Sequence, residues 1–382
     1  MELRVKKVCV LGNLAQPMML FRYDLIKSLV AEGVKVYCIA SAFDADSRAK
    51  LESLGVEVIE SKLNAKGLNP VKDLDAVAWL YKQVRRIQPD AMLSYFVKPV
   101  IYGALAGWLA RVPLRVGMIE GLGNAFTRYK TGLTRRAQAI RAVQILLYRL
   151  ALPKLHEVIF LNADDRNELL DAVDFDSRKA SVLGGIGIDL DEFSYSPHEG
   201  GPNEFVFVGR LLREKGIYEY IEAADRVKKM YPEVVCHVLG GFDEGNPFAL
   251  TRDELDKYLA SGAVNYVGHV NNVADWLRRS AVFVLPSYRE GVPRSAQETM
   301  AIGRPIITTD VPGCRETVVD GVNGFMVPPW DAVALAQAME RFIQKPSLVN
   351  EMGRKSREIA EQKFDVRRIN KKLAEKLGVN LD

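Results

Sequence analysis

Short apolar, β-branched runs alternate along this chain with longer stretches whose apolar positions recur every three to four residues. That alternation predicts βαβ units and parallel sheets. In the first half, residues 6–11, 34–40, 57–60, 91–94, 115–119 and 157–161 read as strands, with helices at 21–32, 71–87 and 100–110. The strands are short and apolar throughout, the pattern of strands buried on both faces. A polar stretch rich in Pro and Gly, residues 195–203, breaks the pattern and reads as a linker. Beyond it the strands predicted are 204–208, 234–239, 264–267, 282–285 and 305–309, separated by helices at 216–230, 273–280, 295–302 and 332–343. The expected organisation is therefore an α/β chain of two Rossmann-like domains. An N-terminal domain covers 1–193, a linker 194–203 and a C-terminal domain 204–363, with a last helix in 364–382 that returns to the N-terminal domain. Ligands of open parallel sheets bind beyond the carboxyl ends of the strands, so two such domains are expected to form a cleft.

Composition narrows the classes. A chain of 382 residues, 48% hydrophobic and 26% charged, is ordinary for a folded protein and excludes disordered and collagen-like classes. The four cysteines, Cys9, Cys38, Cys236 and Cys314, have no C-x-x-C pair, and Cys9 and Cys38 fall in apolar strand runs, so they read as small buried hydrophobes in a reducing cytoplasm. Met1-Glu2-Leu3-Arg4 leads straight into the first strand run, so no leader is expected. No apolar run approaches the roughly 18 residues that span a bilayer. A net charge of +4 is too small to argue for a nucleic-acid partner, but its distribution is uneven. Between Glu120 and Glu157 there is no Asp or Glu, while Arg128, Lys130, Arg135, Arg136, Arg141, Arg149 and Lys154 lie within.

A dinucleotide-dependent enzyme is disfavoured, because the first strand is followed by Gly12-Asn13-Leu14-Ala15-Gln16-Pro17 rather than by G-x-G-x-x-G. Gly121-Leu122-Gly123 supplies two glycines, but Phe126 stands where the last small residue belongs.

The chemistry concentrates later. The strand at 282–285 runs into Tyr288-Arg289-Glu290-Gly291-Val292-Pro293, and a helix that begins near Arg294-Ser295 carries Glu298. A strand's carboxyl end beside a helix N-terminus favours an anion, and Gly291 lets the backbone approach a ligand. Glu290 and Glu298 would repel phosphate unless they address sugar hydroxyls, which their separation permits for a ligand of nucleotide-sugar length. Phe205-Val206-Phe207-Val208-Gly209-Arg210, followed by Leu211-Leu212-Arg213-Glu214-Lys215-Gly216, sets two cations just after another strand. Arg grips phosphate bidentately and Lys supplies a compact charge. Neither of these two segments contains a D-x-D triplet or an Asp/His set at metal-ligand spacing, so no metal is expected.

These segments resemble the family-4 retaining glycosyltransferases of the GT-B fold. Gly209-Arg210-x4-Lys215-Gly216, Glu290-Gly291-Val292-Pro293-x4-Glu298, Ala301-x-Gly303-x-Pro305-Ile306 and Gly313-Cys314-Arg315-Glu316-x4-Gly321-x2-Gly324-Phe325-x-Val327 carry the likeness. Gly185-Ile186-Gly187-Ile188-Asp189-x3-Phe193 is similar to the family's segment before the domain linker. The resemblance implies two Rossmann-like domains facing each other across a cleft and a UDP-sugar co-substrate. It implies that Arg210 and Lys215 bind the donor diphosphate. Glu290 with Gly291, Val292 and Pro293 would hold the transferred sugar and phosphates, and Glu298 the ribose. The base would lie near Asn265–Gly268, and Gly12, Gly209 and Gly268 join the donor side. Front-face attack in such enzymes requires no enzymatic nucleophile, and leaving-group stabilisation by Arg210 and Lys215 is then the main catalytic term.

One departure stands out. Many members carry a histidine in the N-terminal domain, and the matching loop here reads Met118-Ile119-Glu120-Gly121-Leu122-Gly123-Asn124-Ala125-Phe126. Glu120, Asn124 or both are expected to contact the acceptor or the transferred sugar; a buried or turn-stabilising glutamate is the competing reading.

Residues 135–152 have helical spacing, with Ile140, Val143, Leu147 and Leu150 on one side and Arg141, Gln144 and Tyr148 on another. A basic amphipathic helix reads as a membrane-surface element. Arg128, Lys130, Arg135, Arg136 and Arg141 are assigned with it to an anionic membrane surface and a lipid-linked acceptor; a core helix with a solvated basic face is the alternative. Phe21-Arg22-x-Asp24-Leu25-Ile26, Gly67-Leu68-Asn69-Pro70 and Lys98-Pro99-x2-Tyr102-Gly103 are similar to one bacterial branch of the family. That branch extends undecaprenyl-diphosphate-linked saccharides, which implies a polyprenyl-diphosphate-linked acceptor, an N-acetylhexosamine such as N-acetylgalactosamine as the transferred sugar, and a peripheral place on the cytoplasmic face of the inner membrane. Competing readings are a soluble acceptor, a nucleotide-sugar epimerase or hydrolase of the same architecture, and a non-catalytic binding protein. The second needs an acid–base set that the sequence does not offer.

Overall fold

The computed structural model describes residues 5–63, 70–243, 246 and 248–381. The Gly67-Leu68-Asn69 motif lies outside them.

The chain forms two compact units. The first comprises Met1–Ala125, Thr134–Ile186 and Val366–Asp382, and the second Phe126–Leu133 and Gly187–Asp365. The first unit holds β1 (Lys7–Leu14), α1 (Ala15–Ala31), β2 (Lys35–Ser41), α2 (Ala45–Ser53), β3 (Glu57–Glu60), α3 (Pro70–Ile87) and β4 (Ala91–Tyr95). It continues with α4 (Val97–Leu109), β5 (Leu114–Ile119), α5 (Arg135–Ala151), β6 (Glu157–Phe160), α6 (Ala163–Ala172) and β7 (Ala180–Val182). Its seven strands run parallel in the order β3-β2-β1-β4-β5-β6-β7. Every residue of β4 is buried, as expected for a strand with neighbours on both edges and helices on both faces.

The second unit holds β8 (Glu204–Val208), α7 (Ile217–Met230), β9 (Val235–Leu239), α8 (Arg252–Ala260), β10 (Asn265–Gly268) and α9 (Val273–Arg279). It ends with β11 (Val282–Leu285), α10 (Arg294–Ile302), β12 (Ile306–Thr309), β13 (Gly324–Val327), α11 (Ala332–Gln344) and α12 (Ser347–Lys363). Its six strands are parallel in the order β10-β9-β8-β11-β12-β13. The strand sequence reverses direction between β8 and β11, and at such a switch point the loops leaving the two central strands diverge and leave a crevice for ligands. A last helix, α13 (Val366–Lys376), packs on α1 of the first unit, and its Ile369 and Leu373 are buried.

Two boundaries differ from the sequence reading. The polar stretch 194–203 is not a free linker, and the division falls between Ile186 and Gly187. The Ser196 N–H donates to the Ile302 carbonyl at 3.0 Å, and His198 and Asn350 exchange two hydrogen bonds of 2.9 Å. The buried guanidinium of Arg304 donates to the Ser196, Ser280 and Arg278 carbonyls. The backbone of Ser196 and His198 is thus tied into the second unit although most of the stretch is exposed. The second difference is the segment Phe126–Leu133, which belongs to the second unit although its sequence lies deep in the N-terminal half.

Candidate functional site

The two loops at the β8/β11 switch point bring Lys215 and Glu290 together. After β8 the chain makes a 3-10 turn, Arg213–Lys215, that ends at Gly216 with φ +74°. A side chain at Gly216 would overlap the Pro286 carbonyl, so only glycine lets this turn press against the loop after β11. The Lys215 ammonium then donates to Glu290 Oε1 at 2.5 Å and Oε2 at 2.8 Å. Ser287, fully buried, donates its hydroxyl to Glu290 Oε1 at 2.7 Å, and Thr309 at the end of β12 donates in turn to the Ser287 carbonyl. The Glu290 N–H is held by the Pro312 carbonyl at 3.0 Å. Gly313, at φ +78°, has no room for a side chain because one would meet the Glu290 carbonyl.

Beyond Glu290 the loop enters α10, whose N-cap, Pro293, makes no side-chain cap and whose first turn holds no acid. The positive end of this helix is therefore uncompensated by its own sequence. Val292 is buried, and its carbonyl accepts from Gln297 Nε2 at 3.2 Å, which fixes the loop to the helix. Glu298 lies one turn in, nearly buried, with Arg294 Nε donating at 2.7 Å. Burial raises the Glu298 pKa above the ordinary range, and the Arg294 charge opposes the rise.

Arg210 lies apart from this cluster. It is 61% exposed and pairs with Asp243 at 2.8 Å, a partner that the sequence reading did not single out. Gly209 directly follows β8, with its N–H on the Leu239 carbonyl, and Gly268 ends β10, where its carbonyl accepts the Gly240 N–H at 2.8 Å. Asn265 Nδ2 lies 3.1 Å from His237 Nδ1.

Segment Phe126–Leu133 buttresses the same loop. Tyr129 stacks on Phe248 and meets Tyr288 edge-on, and Arg289 donates to the Phe126 carbonyl at 3.0 Å. Phe126 and Thr127 are buried while Arg128 and Lys130 point to solvent. These partners lie 119 to 163 residues away in the chain, beyond the reach of local pattern.

In the first unit, Glu120 is committed to Arg22 rather than left open for a sugar. The two form a buried ion pair, with side-chain exposures of 5% and 0%. Desolvation raises the Glu120 pKa and Arg22 opposes it. Arg22 also donates to the Phe21 carbonyl and stacks 5.0 Å from the Tyr95 ring centre. Gly12 sits where a side chain would overlap the Tyr95 ring, so packing alone accounts for the glycine. Asn124 is exposed at the start of a 3-10 turn, Asn124–Phe126, whose other two residues are buried.

Helix α5 packs on the first unit through its more polar side. Tyr148 and Ala151 are buried, Gln144 donates to the Leu122 carbonyl at 3.1 Å and Arg141 pairs with Glu168 at 3.1 Å. Ile140, Val143, Leu146 and Leu150 instead face out, at 37%, 44%, 56% and 55% exposure. Arg135 and Arg136 are exposed at its start. At its far end Lys154 lies 4.4 Å over the ring of exposed Trp108. Among the described residues no helix is long and apolar enough to cross a membrane, and no group of three or more His, Cys, Asp or Glu is placed to hold a metal ion.

Two family models divide the chain between them: one described as "Glycosyl transferases group 1" matches residues 191–359, and one described as "Glycosyl transferase 4-like domain" matches residues 21–184. The N,N'-diacetylbacillosaminyl-diphospho-undecaprenol alpha-1,3-N-acetylgalactosaminyltransferase of Campylobacter jejuni is 28% identical over 86% of this chain and 87% of its own. The UDP-Gal:alpha-D-GlcNAc-diphosphoundecaprenol alpha-1,3-galactosyltransferase of Escherichia coli is 26% identical over 80% of each. Among solved structures, the Anabaena protein HepE in complex with UDP and glucose has a TM-score of 0.76 at 19% identity, covering 97% of this chain and 99% of that one, a likeness of fold.

Proposed function

The chain is a family-4 glycosyltransferase of the GT-B fold, and from that premise we propose that it moves a sugar from a UDP-sugar to a polyprenyl-diphosphate-linked saccharide with retention of configuration. The observation that carries the proposal is the cluster of Lys215, Glu290 and Ser287 beside the uncapped N-terminus of α10. In this reading Lys215 and the first N–H groups of α10 take the charge that develops on the departing diphosphate, with Arg210 as a second cation released from Asp243. Cations already turned to the diphosphate when the sugar–phosphate bond breaks lower the barrier to its cleavage. Glu290, held by Ser287, accepts hydrogen bonds from hydroxyls of the transferred sugar, and Glu298 does the same for the ribose. The acceptor hydroxyl attacks the face that the diphosphate leaves, and its proton passes to the leaving phosphate. No metal forms part of the proposal.

The acceptor class rests on α5 and on two relatives. An outward apolar row with Arg135 and Arg136 at its start suits a helix lying in an anionic membrane surface, with its long axis in the plane. The Campylobacter and Escherichia proteins are named for undecaprenol-linked acceptors and alpha-1,3 products. UDP-galactose and UDP-N-acetylgalactosamine are α-linked, so an α-linked product corresponds to retention. An N-acetylhexosamine, with N-acetylgalactosamine first, is the donor sugar proposed, and the cytoplasmic face of the inner membrane the place. The test is a panel of UDP-sugars incubated with the protein and undecaprenyl-diphosphate-linked mono- and disaccharides, read by mass spectrometry. A mass gain of one N-acetylhexosamine supports the reading. Transfer only to a free saccharide overturns the acceptor class.

A further inference from the structure

Lys215 is the cation assigned to the donor diphosphate, and Glu290 already holds it. Both carboxylate oxygens lie within 2.8 Å of the one ammonium nitrogen. The pair is shielded, with side-chain exposures of 22% and 10%, so solvent screens it less than a surface ion pair. A diphosphate that arrives at Lys215 competes with a carboxylate fixed a few ångströms away on the same protein, held there by the Ser287 hydroxyl at 2.7 Å.

We infer that Glu290 is an internal stand-in for the diphosphate, occupying Lys215 in the empty site and returning to it when the sugar has gone. The inference rests on the donor-site reading above. With a complete UDP-sugar, the exchange has little net cost, because Lys215 passes to phosphate and Glu290 passes to sugar hydroxyls. With UDP alone Glu290 leaves Lys215 and gains no sugar in return, which leaves a buried carboxylate with less than its full set of partners. Product UDP is therefore held less tightly than substrate for a reason built into the loop, and recapture of Lys215 by Glu290 helps to expel it.

The experiment is UDP binding by calorimetry, with dissociation followed by stopped-flow, for the full chain and for Glu290→Gln and Glu290→Asp. Glutamine keeps the shape and removes the charge; aspartate keeps the charge and shortens the reach. Both variants are expected to bind UDP at least about tenfold more tightly and release it more slowly, the scale of a charged hydrogen bond. Both are also expected to transfer sugar more slowly. Equal or weaker UDP binding by Glu290→Gln overturns the inference and leaves the donor site standing. Tighter binding by Glu290→Gln alone, with Glu290→Asp like the parent, replaces it with simple charge repulsion. If neither the parent nor the variants bind UDP, the donor-site reading itself fails and the inference with it.

Discussion

Tyr129 lies flat on Phe248, their ring centres 5.5 Å apart and their planes 19° from parallel. The same ring meets Tyr288 edge-on at 5.9 Å, two residues before Glu290 in the chain. Its hydroxyl is buried with no hydrogen-bond partner among the described residues. Tyr129→Ala is expected to destabilise the second unit by about 1–3 kcal/mol through lost ring contacts and to raise the donor KM several-fold by loosening the loop. Tyr129→Phe keeps the contacts and removes an unpaired polar atom, so its stability should equal or exceed the parent's. Urea denaturation and donor kinetics on both variants check the pair.

Arg22 and Glu120 bury opposite charges against each other in the first unit. Removing one partner strands the other, so Arg22→Ala should cost about 3–5 kcal/mol in urea unfolding. Replacing both with apolar residues of similar size, Arg22→Met with Glu120→Leu, should recover most of that loss. If the double variant folds well but has lost transfer, the carboxylate has a role beyond the pair.

Much of the fold is legible in the sequence, and the exceptions have physical causes. The interior strands β1, β4, β8 and β11 announce themselves because burial on both faces demands unbroken apolar runs. The edge strands β7 and β13 are three and four residues long and mostly lack that signal. Helices α2, α6 and α8 are short and bury only one or two side chains each, so their periodicity is weak. Residues 195–203 read as a linker because they are polar, and polarity does not reveal that Arg304 and Asn350 hold the backbone of Ser196 and His198. For α5 the spacing separates the two faces, and the partners that hold the polar one inward, Glu168 and the Leu122 carbonyl, lie elsewhere in the chain. The Glu290 and Lys215 motifs were each legible; their direct pairing was not, because it depends on a strand order that places β8 beside β11.

The orientation of α5 separates its basic residues into two kinds. Arg135 and Arg136 are exposed, so replacing each with Ala should weaken binding to anionic vesicles by roughly fivefold, about 1 kcal/mol per charge, with no loss of thermal stability. Leu146→Ser and Leu150→Ser should weaken binding to the same vesicles for the loss of buried apolar surface. Arg141 instead pairs with Glu168, and Arg141→Ala should lower stability more than vesicle binding. Cosedimentation with and without anionic lipid distinguishes these outcomes.

Glu298 has its pKa raised in the folded protein, chiefly by burial. Its folded form therefore holds a proton more firmly than the unfolded chain does. The stabilising effect is present below the ordinary glutamate range of about 4.3 and is lost as pH rises through the raised value. Glu298→Gln should thus match or exceed the parent's melting temperature at pH 7, with the advantage disappearing in acid. It should also bind UDP-sugar more weakly, because the ribose exchanges a charged acceptor for a neutral amide oxygen. A melting-temperature series from pH 4 to pH 8, with donor titration at pH 7, reads both effects.

The central claim is that Lys215 takes the charge of the leaving diphosphate, and the measurement that tests it most directly is the rate of sugar transfer by Lys215→Ala. With UDP-N-acetylgalactosamine and an undecaprenyl-diphosphate-linked acceptor, a folded variant is predicted to run at least about 100-fold slower than the parent. A rate within a few-fold of the parent would contradict the claim and move the donor site away from the β8/β11 switch point.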